Sequence, residues 1–186
     1  MTATMTRHRI SVAEYEAMGE TGVLASGPRT ELLDGEVFEM SPIGLSHWSL
    51  VVGLDQTLQR LCGTNALIAV QGPVPLDEWS MPEPDLILLT PRNDRYKSAW
   101  PTPADIMLLI EVSDTSLRRD RGKKLALYAA AAVPRVWIVN VRAHRILVFE
   151  GPVGSRYTKE AEFGPGDSVE VPGVSQPVPV TDLIGE

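Results

Sequence analysis

Two acidic residues stand where acidic residues are costly. Asp85 opens the apolar run 86–90, and Glu111 lies near the end of another, 106–112. A carboxylate embedded in apolar sequence costs free energy unless it is paired or binds a cation. If the two runs are neighbouring strands, both carboxylates can converge on one ion. Hard divalent ions such as Mg2+ or Mn2+ prefer oxygen ligands and keep several waters. Such an ion polarises a phosphodiester and lowers the pKa of a bound water. The plainer alternative is that each carboxylate ends its strand in solvent or beside an arginine.

The segment after Glu111 adds a second signal. Five of the seven residues from Arg118 to Lys124 are basic, the one dense positive cluster in the chain. Asp120, Lys124 and Tyr128 recur at four-residue spacing and so share one helical face. Basic charge at a helix start opposes the helix dipole unless an anion is near. Beside a metal site it would suit a phosphate-bearing substrate. The alternative is a solvated helix start whose Asp120–Lys124 pair contributes about 0.2–0.5 kcal/mol.

These residues need a scaffold. Residues 11–18 start with a Ser cap and carry Glu14 at the third helical position, a capping-box pattern. Residues 22–30 read as a loop. Asp34-Gly35 between two short extended runs is a hairpin signal. Ser46 is a candidate N-cap for a helix over 47–61, where Leu50, Val51, Leu54, Leu58 and Leu61 recur at helical spacing and Gly63 closes it. A strand over 66–71 follows, broken by Gly72-Pro73. The runs 86–90 and 106–112 read as buried strands and therefore as central ones. An exposed loop, 91–104, separates them. A helix over 117–132 stops at Pro134, with Asp114 and Ser116 as candidate caps. Strands over 135–141 and 145–150 meet at a turn near Ala143-His144. Residues 155–163 and 167–173 read as edge strands, and the last residues as a short packing segment. Mixed order of this kind predicts an α/β fold with a central mixed sheet flanked by helices.

Bulk properties bound the answer. A chain of 186 residues with 44% hydrophobic content predicts one globular domain spanning 1–186. The single cysteine, Cys62, cannot form an internal disulfide, and its setting predicts a buried, inert thiol. With no signal-peptide pattern in residues 1–10 and no membrane-length apolar run, the expected location is cytoplasmic. The net charge of −7 argues against a protein that coats nucleic acid nonspecifically. It leaves room for an enzyme whose metal ions offset its own carboxylates.

An ordered set of short motifs carries a resemblance. Glu31-Leu-Leu-Asp-Gly-Glu36, Met40-Ser-Pro42, His47, Pro84-Asp85, Ile110-Glu-Val112 with Ser116, Asp120 through Lys124 to Tyr128, Val133-Pro134 and Trp137-Ile-Val139 follow one another along the chain. The set resembles the Uma-type restriction-endonuclease family, a branch of the PD-(D/E)XK nuclease superfamily. It runs from about residue 11 to about residue 150, which leaves 151–186 as a C-terminal extension.

The resemblance implies a restriction-endonuclease-like core and an Mg2+- or Mn2+-dependent endonuclease acting on nucleic acid, DNA by expectation. Asp85 would be the metal-binding aspartate and Glu111 the acidic member of the (D/E)XK element, with the Val112 carbonyl as a further ligand. Ser113 stands where the superfamily's general pattern has lysine. Lys124 on the following helix is the natural substitute, because Lys123 points about 100° away around a helix. Glu31 matches an N-terminal acidic residue that would contact the metal directly or through water; the alternative is an exposed hairpin residue. His47 would accept a proton or orient a carboxylate; the alternative is a local hydrogen bond at a helix start. Trp137 reads as core or dimer surface, whereas Trp79 and Trp100 lie in loops and are candidates for substrate or partner contact. A homodimer would supply two cuts to a duplex. The rival expectation is a nuclease-fold protein that has lost catalysis and works as a binding or assembly module.

Overall fold

The computed structural model describes residues 7–24, 27–114 and 116–185. The parts of the signal-segment and loop readings that fall on residues 1–6 and 25–26 lie outside them, as does the side chain of Arg119.

Helix α1 (Val12–Glu20) starts with the capping box foreseen in the sequence, Ser11 and Glu14 each accepting from the other's backbone. Strands β1 (Thr30–Leu33) and β2 (Glu36–Glu39) form a separate hairpin. Its turn needs positive φ at two consecutive residues, and Asp34 (56°) and Gly35 (76°) supply it. A side chain at position 35 would also meet Arg9 at 2.6 Å. The hairpin docks on the segment before Asp85 through the Gly35 N–H to the Trp79 carbonyl (2.7 Å) and the Leu32–Met81 bridge.

Helix α2 spans Leu45–Cys62. Its N-cap is Gly44, which makes no side-chain cap bond, so Ser46 lies inside the helix instead of capping it. The central sheet has six strands in the order β3-β4-β5-β6-β7-β8: Leu67–Val70, Leu86–Leu89, Ile106–Ser113, Arg135–Asn140, Arg145–Val153 and Arg156–Phe163. Only β5 and β6 run parallel, joined by the helical crossover that such a pair requires. The two most apolar strands, β4 and β5, sit inside the sheet, as continuous apolar runs should. The edge expectation for 155–163 fits β8. In 167–173 the strand is short and lies outside the central sheet: Ser168–Val169 (β9) pairs only with Val178–Pro179 (β10), in a separate two-stranded sheet.

Alternation along the strands sorts the core into two layers. Leu86, Leu88, Leu108 and Ile110 join Val51, Leu54 and Leu58 of α2, with Trp137, on one face. Ile87, Leu89, Leu109 and Ile138 join Tyr128 and Val133 on the other. Trp137 is fully buried, as its apolar strand predicts, and truncating it to Ala would cost about 3–5 kcal/mol. The Cys62 thiol is buried against the Pro172 carbonyl, and burial raises its pKa. The final helix α5 (Val180–Ile184) packs Val180 and Leu183 into the α2 layer.

The crossover helix is not uniform. Helix α3 (Leu117–Arg119) passes through a π-helical turn, Asp120–Lys124, into α4 (Leu125–Ala130). Ser116 holds the N-cap position expected of it but makes no side-chain cap bond, and Asp114 does not cap the helix. The Ser116 hydroxyl reaches Asp120, and Asp114 pairs with Arg142.

Candidate active site

The antiparallel register of β4 and β5 brings Asp85 and Glu111 together. Leu86 faces Ile110, so one step further along the register Asp85 faces Glu111. Directly opposed residues project to the same face of a sheet. Both line a cavity of ≈ 220 Å3 at the end of the sheet, where the starts of α2 and of the crossover helix approach.

Each carboxylate has its own fixings. Asp85 Oδ2 accepts the Val112 N–H at 2.8 Å, and Oδ1 lies 3.0 Å from His47 Nε2. Glu111 Oε1 accepts from the Tyr128 hydroxyl at 2.5 Å and lies 2.6 Å from Lys124 Nζ. Lys124 Nζ also reaches Glu31 Oε2 at 3.1 Å, which ties the separate hairpin to the sheet. Glu31 is fully buried, so the exposed-hairpin alternative is corrected. His47 does more than bond locally at a helix start: it spans to another element and engages Asp85.

The Val112 backbone faces the same site. Opposed residues in an antiparallel ladder can exchange N–H···O bonds. The residue that would face Val112 in this register is Pro84, which has no N–H to give. The Val112 N–H goes to Asp85, and its carbonyl receives no ladder donor from position 84.

The lysines separate by environment. Lys124 is 2% exposed. Lys123, one residue earlier, lies over the Phe38 ring and pairs with Glu36 at 2.9 Å. Of the described basic side chains in this segment, Lys124 lines the cavity, whereas Arg121 pairs with Glu160 on β8 and Arg118 is exposed. Asp120 turns inward instead and accepts from the Ser113 and Ser116 hydroxyls at 2.6 and 2.5 Å. Ser113, at the position where the general pattern has lysine, therefore anchors an acid on the next helix.

Burial dominates the proton equilibria. It pushes Glu111 up to about 8, with Asp120 and Asp85 adding to the rise and Lys124 opposing it. For Lys124 burial works to lower the pKa. Glu111, Glu31 and Asp120 outweigh it, and the ammonium ends above its ordinary range. Tyr128 is raised well above a free phenol by burial and by the Glu111 charge, so it stays a donor. The bond to Asp85 raises His47 against the effect of burial.

Sequence reasoning missed two lining residues. Arg29 and Glu83 form an ion pair in the cavity wall. Nothing marks Arg29 in the sequence, whereas Glu83 could have been noticed as a second acid two residues before Asp85. The candidate Trp79 is covered by the Arg9 guanidinium, 4.5 Å from its ring.

A mixed sheet with helices on both faces, and two buried acids brought together where β4 and β5 meet, defines a restriction-endonuclease-like α/β protein. The chain belongs to the Uma2 family, described as "Putative restriction endonuclease", whose model matches residues 12–179. Its fold is that of a protein from Anabaena variabilis ATCC 29413 solved as "a putative nuclease belonging to DUF820". The two align with a TM-score of 0.71 over 94% of this chain and 97% of that one, at 14% identity. No curated protein matches the chain. Among the described residues, no helix is long and apolar enough to cross a membrane.

Proposed function

We propose that this chain is a divalent-metal-dependent endonuclease that hydrolyses phosphodiester bonds in nucleic acid, with DNA as its substrate. One observation carries the reading. Among the described residues, the buried charged ones are Glu31, Asp85, Glu111, Asp120 and Lys124, and all belong to this one cluster. Fully buried charges are rare unless paired, and perturbed ionisable groups in a cleft mark functional sites.

The donor set fits a hard cation. Four buried carboxyl groups face one ammonium and one imidazole, an excess of negative charge that a divalent ion would offset. Asp85, Glu111 and the Val112 carbonyl would hold it. Among the described residues, no group of three or more His, Cys, Asp and Glu side chains could hold a metal by itself. Waters would complete the shell, as is usual for Mg2+. A bound Mg2+ or Mn2+ supplies charge against the phosphodiester and lowers the pKa of water.

The protein groups have separate tasks in this reading. Lys124 keeps its proton and presents an ammonium to charge developing on the phosphoryl oxygens. Glu31 and Tyr128 fix Lys124 and Glu111. His47 and the Val112 amide hold the Asp85 carboxylate in one orientation. Sedimentation analysis tests the separate expectation of a homodimer.

Calorimetric titration with Mn2+, followed by cleavage assays on DNA, RNA and small phosphodiesters, tests the proposal. Mn2+ binding that disappears in Asp85→Ala, together with DNA cleavage, is the expected outcome. Absence of metal binding in the unaltered chain would favour the rival, a nuclease-fold binding or assembly module.

A further inference from the structure

A second cavity shares a wall with the first. Arg29 and Glu83 line both, so their ion pair stands between a polar cleft and a neighbouring groove. The groove encloses ≈ 470 Å3 between α1 and the segments leading into β1 and β4, and Tyr15, Met81 and Trp100 contribute rings and apolar surface to it. Two of these are pinned. The Tyr15 hydroxyl donates to the Thr30 carbonyl at 2.8 Å. The Trp100 indole N–H donates to Glu16 Oε1 at 3.2 Å, which ties the 91–102 loop to α1. Trp100 nonetheless remains 52% exposed. A large ring fixed at its edge and left half open is suited to stack on another flat ring.

The charges narrow the ligand. The charged groups lining the groove are Glu16, Glu83 and Arg29. Glu16 is engaged by Trp100 and Glu83 by Arg29. Among the described residues, the only cation lining it therefore stands at the boundary with the cleft. A fitting ligand is flat and uncharged within the groove and carries an anionic group toward Arg29. A nucleobase attached to a phosphate has that layout. The net charge of −7 also leaves little affinity to be gained by neutralising a phosphate backbone, whereas stacking needs no charge.

We propose that this groove is a nucleobase subsite for the residue flanking the bond cleaved in the adjacent cleft, an inference that rests on the nuclease reading above. A base within a duplex is paired and stacked and must leave the helix to enter such a pocket. The substrate class is thereby narrowed to unpaired strand segments.

The test uses the full chain with Trp100→Ala and Trp100→Phe, each checked for folding by circular dichroism. Fluorescence anisotropy without metal measures binding of a labelled single-stranded oligonucleotide and of its duplex. Trp100→Ala should lose about tenfold in single-strand affinity, Trp100→Phe should keep most of it, and the duplex should bind more weakly and respond little. Unchanged single-strand affinity in Trp100→Ala overturns the subsite, even if the chain cleaves DNA. A loss confined to Trp100→Ala supports the subsite even in a protein that cleaves nothing with Mn2+, and only the nuclease reading then falls. A shift from dimer to monomer in Trp100→Ala, with oligonucleotide binding intact, would assign the groove to a second copy and also overturn the proposal.

Discussion

Arg121 and Lys124 lie three residues apart in one helical segment, and both end in ion pairs. Arg121 reaches Glu160 across the surface of β8, with side-chain exposures of 44% and 51%. Lys124 reaches Glu111 and Glu31 from a position 2% exposed. At the surface, water screens each charge and competes for it. Inside, each charge has lost its hydration, and its neighbours must replace what water gave. The same pairing of opposite charges is thus nearly neutral in one place and decisive in the other. The inner pair persists despite its desolvation cost, which fits selection for chemistry over stability.

The sharpest way to break this comparison is to remove the inner cation. Lys124→Met should destabilise the fold by about 3–5 kcal/mol in chemical denaturation, because it strands buried carboxylates. It should also lower any cleavage rate by about 10²–10³-fold. A second effect follows from the excess of buried negative charge. Mn2+ at a hundred times its dissociation constant should stabilise the unaltered chain by about 2.7 kcal/mol. Asp85→Asn should show little of this in thermal melts.

A third test uses pH. Glu111 titrates at about 8 in the folded protein, against 4.5 for the unperturbed group. Between those values the native state binds more protons than the unfolded chain, so stability falls as pH rises and stays low above about 8. His47, raised from 6.5, acts in the same direction, since stability it contributes at low pH is lost as pH passes its folded value. Lys124, raised above 10.5, titrates above this window. Melting temperature should therefore drop from pH 5 to pH 8 in the unaltered chain and less in Glu111→Gln. A chain of this size shifts by about 2–4 °C per kcal/mol. The smallest effect belongs to the surface: Arg121→Ala should cost less than about 1 kcal/mol. If it cost as much as Lys124→Met, the contrast between the two regions would be false.

The sheet was legible where local chemistry dictates structure. Asp34-Gly35 has one favoured turn, and the runs in β4 and β5 are too apolar for an edge. The pairing of Asp85 with Glu111 was legible only as a condition on neighbouring strands, because register is set by tertiary contacts. Sequence periodicity assumed a regular helix through 117–132 and could not show the π turn. The inward Asp120 and its two serines became readable only once that turn was known. Charge counting could not separate Arg121, Lys123 and Lys124, which reach three different environments. Arg29 owes its place to the docking of the hairpin, which no local pattern encodes.

The wide turn at Asp120–Lys124 has a consequence for aim. Eight residues of regular α-helix overshoot two full revolutions by about 80°, so Asp120 and Tyr128 would splay apart if the segment between them were uniform. A slacker coil takes up part of that drift and lets groups spaced by four all reach the end of β5, Asp120 at Ser113 and Lys124 and Tyr128 at Glu111. Gly122→Ala, by favouring the tighter coil, would leave every charge present yet turn the acid, the ammonium and the phenol out of alignment.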